Sequence, residues 1–245
     1  MLNEKCTIVL TGGTSGIGEA LLEQLCAAGH TVVVLARNED KLASLARQHR
    51  GLVTRVCDLS RRESIESVMP ALLEEHPDIS VLINNAGMQV EGKITDPDFS
   101  LDNVATETAT NFMAPIWLIY SMLDHLRRQQ TAAIVNVSSG LAIYPKTGSA
   151  VYSATKAALH SFTQSLRYQL EDTGVHVFEA IVPMVDTPMT AGRGSGKISA
   201  QECAKQMIAG IHANRDEIYI GKARLLPLLS RLAPGTAKRI LKNAG

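Results

Sequence analysis

The chain has 245 residues, enough for one α/β unit with a large buried sheet. Lys+Arg and Asp+Glu number 24 each, so the formal net charge is zero, which argues against a nucleic-acid-binding protein with its usual basic surplus. Cys6, Cys26, Cys57 and Cys203 form no C-x-x-C pair and the histidines no H-E-x-x-H motif, so neither a disulfide framework nor a metal site is expected.

Apolar runs at 6–10, 31–36, 52–57, 79–83, 132–137, 175–182 and 218–220 predict strands. Several are apolar throughout, as strands covered on both faces should be. Helical patterns lie between them. The first, 18–28, places Ala20, Leu21, Leu25 and Ala28 on one stripe and stops at Gly29, a helix C-cap residue. This alternation predicts a doubly wound parallel sheet, and no repeat, linker or low-complexity tract divides the chain, so 1–245 is one domain. No apolar run reaches the ~18 residues of a membrane-spanning helix, and the N-terminus lacks a signal-peptide layout. With unpaired thiols, these features predict a cytoplasmic protein.

Chemistry enters along the same path. After the first strand the chain reads Thr11-Gly12-Gly13-Thr14-Ser15-Gly16-Ile17-Gly18 and runs directly into a helix. Glycines there let the backbone turn tightly against a pyrophosphate, and the N–H groups of a helix start attract the anion. The second strand ends Ala36-Arg37-Asn38 with no acid at its tip. A carboxylate would accept bonds from a free ribose 2′-hydroxyl, whereas the Arg37 fork suits a 2′-phosphate, so NADP(H) is expected over NAD(H). Ser138 and Ser139 end the fifth-strand run, and on chemistry alone either hydroxyl could stabilise a developing oxyanion. Tyr152 and Lys156 stand four apart, on one face of a helix. A free phenol titrates near ~10, and a neighbouring ammonium can lower that by about 1–3 pH units.

The glycine loop, Asn84-Asn85-Ala86-Gly87 at the end of the fourth strand, Ser139, and the Tyr152–Lys156 pair together resemble the short-chain dehydrogenase/reductase family over residues 7–187. The resemblance implies a single-domain Rossmann fold, a doubly wound parallel seven-stranded sheet with helices on both faces. It implies a catalytic set of Asn111, Ser139, Tyr152 and Lys156, and selects Ser139 over Ser138 by its separation from the tyrosine. Asn111, in a long helix, would hold a water linking Lys156 to solvent. Cofactor contacts are implied for Gly12, Thr14, Ser15, Gly16, Ile17 and Gly18, for Arg37, for Asp58 and Leu59 around the adenine, and for Asn85, Ala86 and Gly87. Tyr152 and Lys156 would meet the nicotinamide ribose, and Val185 and Thr187 the carboxamide. Ser15 departs from the basic residue many NADP-preferring relatives carry in this loop. Pro183 stands where the family usually has Gly, and with Gln89 this resembles the branch around a D-alanine-operon oxidoreductase.

The expected function is therefore NADP(H)-dependent reduction of a ketone, aldehyde or 3-oxo compound (EC 1.1.1.-). The alternatives are an NAD(H)-dependent secondary-alcohol dehydrogenase and a non-catalytic NADP(H)-binding redox sensor. Residues 188–215, beginning with the glycine-rich PMTAGRGSGK, are expected as a substrate lid. Met88, Gln89, Tyr144, Met184 and Met189 are candidate pocket residues. Residues 222–245 carry Lys222, Arg224, Arg231, Lys238, Arg239 and Lys242 among leucines, with no acid beyond Glu217. Such a stretch could rest on an anionic membrane, but Pro227, Pro234 and Gly235 interrupt it, and a C-terminal cap over the pocket or a subunit contact is the expectation. The resemblance also implies a homodimer or homotetramer packed through helices near 100–128 and 149–172, with Trp117 as a candidate anchor.

Overall fold

The computed structural model describes Leu2 and residues 4–242. In chain order the strands are β1 (Thr7–Thr11), β2 (Thr31–Ala36), β3 (Leu52–Val56), β4 (Ile79–Asn84), β5 (Ala132–Ser139), β6 (Val175–Val182), β7 (Val185–Asp186), β8 (Ile198–Ser199) and β9 (Glu217–Tyr219). The helices are α1 (Gly16–Ala27), α2 (Glu39–Gln48), α3 (Arg62–Glu75), α4 (Leu101–Thr108), α5 (Ala114–Arg128), α6 (Ala150–Gln169), α7 (Ala200–His212), α8 (Leu226–Leu232) and α9 (Pro234–Lys242). Seven strands form one parallel sheet in the order β3-β2-β1-β4-β5-β6-β9. All seven predicted strands are present, within two residues of their expected ends.

Burial on both faces explains why these strands are apolar runs and not alternating ones. Ile8, Leu10, Val32, Val34, Val81 and Ile83 point to one side, where α1, α2 and α7 cover them. Val9, Val33, Leu35, Ile79 and Leu82 point to the other, under α3, α5 and α6. Strand order reverses beside β1, whose neighbours are β2 and β4, so a crevice opens past the C-terminal ends of β1 and β4. In α1 the buried stripe is Ala20, Leu21, Leu22 and Leu25, while Ala28, expected on it, is exposed in the C-cap before Gly29 at φ +85°.

Three features go beyond the sequence reading. β7 and β8 pair as a small separate ribbon at the two ends of the glycine-rich segment. Of residues 188–215, those from Ala200 to His212 form α7, which packs on α1 and buries Cys203, Ala204, Met207 and Ile211 in the main core. The expected long helix is interrupted by a π-helical turn at Ala109–Met113, between α4 and α5. Past β9, the tail folds as α8 and α9 around its prolines, and Thr147 binds the Lys242 carbonyl at 3.1 Å. No helix among the described residues is long and apolar enough to cross a membrane.

One carboxylate lies inside the sheet. Glu179 of β6 is fully buried, accepts a short hydrogen bond from Ser138 Oγ, and lies 2.8 Å from His160 Nδ1 on α6. That hydrogen bond, outweighing desolvation, holds the His160 pKa above its usual value.

Two outcomes follow from this packing. A Cβ on Gly210 would lie 2.4 Å from Ile218 Cγ2, where α7 crosses β9. Gly210→Ala should lower stability to urea by about 1–3 kcal/mol through overpacking, and an unchanged midpoint would show that Ile218 moves aside. A raised folded-state pKa means that the stability from charged His160 is complete below the unfolded value near ~6.5 and is lost as pH rises through the folded one. The melting-temperature advantage of the wild type over His160→Gln should therefore be largest in mild acid and shrink toward alkaline pH. A pH-independent difference would show that the ring is not charged in the fold.

Candidate active site

At the crevice, β1 turns into α1 with no room for side chains. A Cβ on Gly18 would sit 2.1 Å from the Gly12 carbonyl oxygen, and one on Gly12 would sit 2.9 Å from Ala86 Cα. Gly12 and Gly16 take φ of +70° and +58°, a left-handed conformation that favours glycine. Thr11 ties this loop to the end of β4: its Oγ1 accepts from Asn85 N at 3.0 Å and Ala86 N at 2.9 Å. Ser15, the N-cap of α1, makes no side-chain cap bond, leaving the helix start open toward the crevice.

The crevice has a volume of about 280 Å³. Every residue expected from Gly12 to Gly87 lines it: Gly12, Thr14, Ser15, Gly16, Ile17, Gly18, Arg37, Asp58, Leu59, Asn85, Ala86 and Gly87, joined by Thr187. Arg37 is exposed at its rim and makes no hydrogen bond or ion pair among the described residues, although Glu39 and Asp40 follow it. Asp58 accepts from Ser60 N at 3.0 Å and Ser60 Oγ at 2.7 Å. Burial raises its pKa, but these bonds and the charges of Arg37 and Arg61 outweigh that and hold it below the usual value.

A second, mostly apolar pocket of about 370 Å³ adjoins the first, sharing Ile17, Thr187 and Met189 with it. Ser139, Tyr152, Pro183, Met184 and Val185 line it, and Gln89 reaches in from a 2.7 Å bond to Ser149 Oγ. Met88 faces the first pocket and Tyr144 lines neither. From the tail, Leu225, Leu226, Leu229, Ala237, Ile240 and Leu241 close the far wall. Ser138, the chemical equal of Ser139, is turned into the sheet toward Glu179 and does not line the pocket.

Lys156 and Asn111 line neither pocket and lie beside Gly87, where a Cβ would be 3.3 Å from Asn111 Oδ1 and 3.7 Å from Lys156 Nζ. Lys156 is buried, donates to Val137 O at 2.8 Å, and has Nζ 5.7 Å from the Tyr152 ring centroid. Asn111, fully buried in the π turn, receives Met88 N at 2.9 Å on Oδ1 and donates to Met88 O at 2.8 Å and Thr155 Oγ1 at 3.3 Å. The π turn explains why a mid-helix asparagine can clamp a neighbouring loop. One inserted residue shifts its side chain round the axis, a distortion that recurs at functional sites.

Burial sets the protonation states. Desolvation pushes the Tyr152 phenol up to about 12, with Ser139's hydrogen bond opposing and Glu107's charge adding. Removal from water dominates the shift of this phenol. Desolvation likewise pushes Lys156 down to about 8, against the charges of Glu179 and Glu107. Sequence reading missed both acids. Glu107 stands one helical turn before Asn111, accepts from the Val90 backbone, is pushed up to about 7 by burial, and leaves Oε1 without a partner. An acid four residues before Asn111, and another inside the apolar run Val175–Val182, were the signals available.

Comparison with known proteins agrees with this arrangement. The family profile described as short chain dehydrogenase matches residues 6–197. The chain is 38% identical over 218 residues to the uncharacterized oxidoreductase DltE of Bacillus subtilis, covering 86% of each chain. It is 34% identical over 227 residues to an uncharacterized oxidoreductase of Staphylococcus epidermidis, covering 89% of this chain and 97% of the other. Among solved structures, a short chain dehydrogenase from Burkholderia cenocepacia in complex with NADP superposes with a TM-score of 0.88 at 25% identity, covering 98% of this chain and 99% of that one. One from Burkholderia phymatum in complex with NAD shares the fold at a TM-score of 0.84 and 20% identity, covering 99% of this chain and 97% of that one. The chain belongs to the short-chain dehydrogenase/reductase family of oxidoreductases, in the branch around the D-alanine-operon oxidoreductase DltE.

Proposed function

We propose that the chain is an NADP(H)-dependent reductase of ketones, aldehydes or 3-oxo compounds, with Tyr152 as its acid–base group. The observation that carries this reading is the convergence of Ser139 and Tyr152 on an apolar pocket that opens into the glycine-loop crevice. The crevice suits a dinucleotide: the glycines leave space that any Cβ would fill, and the start of α1 favours a pyrophosphate. The nicotinamide supplies the hydride in reduction and accepts it in oxidation.

Ser139 Oγ holds the substrate oxygen, and Tyr152 donates the proton to it as charge develops. Lys156 supplies positive charge behind Tyr152 and a donor for the ribose hydroxyls. Asn111 fixes the Met88 backbone at the seam of the two pockets, where the family reading has it hold a water. Val185 and Thr187 meet the carboxamide, and Asp58 and Leu59 frame the adenine. Arg37, exposed and without a hydrogen bond or ion pair among the described residues, takes the 2′-phosphate, and the Burkholderia cenocepacia relative bound to NADP is in keeping with this. The segment from Pro188 to Lys197 acts as lid and the tail as cap. The exposed Tyr120 of α5 and Tyr168 of α6 offer apolar surface for homo-oligomer packing.

Two variants test the reading. Tyr152→Phe should lower NADPH-dependent carbonyl reduction by about 10²–10⁴-fold while NADPH binding is retained, and undiminished turnover would remove Tyr152 from its role. Arg37→Asp should weaken NADPH about tenfold or more, through loss of a charge-assisted phosphate contact, and leave NADH binding little changed. Unaltered NADPH affinity would overturn the cofactor preference.

A further inference from the structure

The substrate pocket has a charge pattern that its apolar lining does not require. Three cations from three separate segments reach it: Lys146 from the loop before α6, Arg193 from the glycine-rich loop, and Lys222 from the turn after β9. No carboxylate among the described residues lines it. One acid stands behind the cations, Glu91, whose carboxylate is shared by Lys146 Nζ at 2.5 Å and Arg193 at 2.7 Å. Asp186, the acid beside the glycine-rich loop, is already held by Lys197 at 3.1 Å. Lys222 makes no hydrogen bond or ion pair among the described residues, and its ammonium lies over Gly196, 2.9 Å from where a Cβ would be. One acid for three cations leaves a positive surplus around this mostly apolar pocket, with Lys222 exposed to solvent.

The apolar lining offers these cations no further partner, and a ligand anion would give them a charge-assisted one. Lys146 is 9% exposed and Arg193 18%, so both are held by the fold and not merely waving in solvent. A neutral ketone would leave this charge unmatched. A ligand with an apolar body and an anionic end would satisfy both the leucine-rich wall and the cations.

We propose that this pocket takes a carbonyl compound bearing an apolar body and a carboxylate-type anionic group, bound by Lys222 and Arg193 in competition with Glu91. This substrate class rests on the reductase reading above.

The test uses the full chain, saturated with NADP⁺, and isothermal titration with octanoate and with octanol, whose bodies match and whose heads differ in charge. Octanoate should bind about tenfold or more tightly than octanol, the scale of one charge-assisted contact. Lys222→Met and Arg193→Met should each reduce that preference. Glu91→Gln should strengthen octanoate binding and leave octanol unchanged, a gain that a merely structural role for Glu91 would not give. Equal or tighter binding of octanol, absent octanoate binding, or a preference untouched in the Lys222→Met/Arg193→Met double variant would overturn the proposal. Following NADPH oxidation with an oxo-octanoate and its methyl ester separates the two readings. If the ester is reduced as well as the free acid, the reductase stands and the anion site falls. If octanoate is preferred but neither carbonyl consumes NADPH, the anion site stands and the reductase falls.

Discussion

The arrangement depends on one close approach: α1 crosses the end of β1 where Gly18 meets the Gly12 carbonyl, leaving no volume for even a methyl group. Because β1 lies between β2 and β4 in the parallel sheet, that crossing falls where strand order reverses, and the crevice opens there. Thr11 and Asn85 make the contact rigid, since Asn85 Nδ2 donates back to Thr11 O at 3.0 Å while Thr11 Oγ1 receives the backbone of Asn85 and Ala86. Packing of apolar strands on both faces holds β1 and β4 in register. The glycine loop therefore inherits its position from the core, and the two pockets inherit theirs from the loop.

A second constraint is electrostatic. Lys156 is buried beside Gly87, which disfavours its charge, and the acids Glu107 and Glu179 oppose that loss. Burial also raises the pKa of the Tyr152 phenol. Both effects come from the same source, helix α6 laid against β5, where Lys156 donates to Val137 O. Hydrogen bonds to Ser138 and His160 satisfy Glu179, so a charge inside a parallel sheet has the partners it needs. Glu107 is less complete, with one oxygen unpartnered beside the Asn111 turn.

The legibility of this fold in its sequence follows from the same physics. Strands covered on both faces must be apolar throughout, so Thr31–Ala36 and Val175–Val182 could be read to the residue. The glycine loop was legible because steric exclusion leaves only one residue type. Local spacing put Tyr152 and Lys156 on one face, but not the sign of their pKa shifts, because burial is a property of the folded whole. The π turn at Ala109–Met113 escaped because a single inserted residue leaves the apolar pattern of a long helix nearly intact. Ser138 and Ser139 were chemically equal, and what separates them is strand alternation against Glu179, a contact 41 residues away. Pocket charge was the least legible feature, since Lys146, Arg193 and Lys222 come together only through the tertiary fold.

The central claim is that the two adjoining pockets are one site, with a dinucleotide in the first presenting its nicotinamide to Tyr152 in the second. A crystal structure of the protein soaked with NADP⁺ tests this most directly. The account predicts pyrophosphate density at the start of α1, the 2′-phosphate against Arg37, and the nicotinamide ring beside Tyr152 and Lys156 at the mouth of the apolar pocket. Density for the dinucleotide elsewhere, or a nicotinamide directed away from Tyr152, would contradict it.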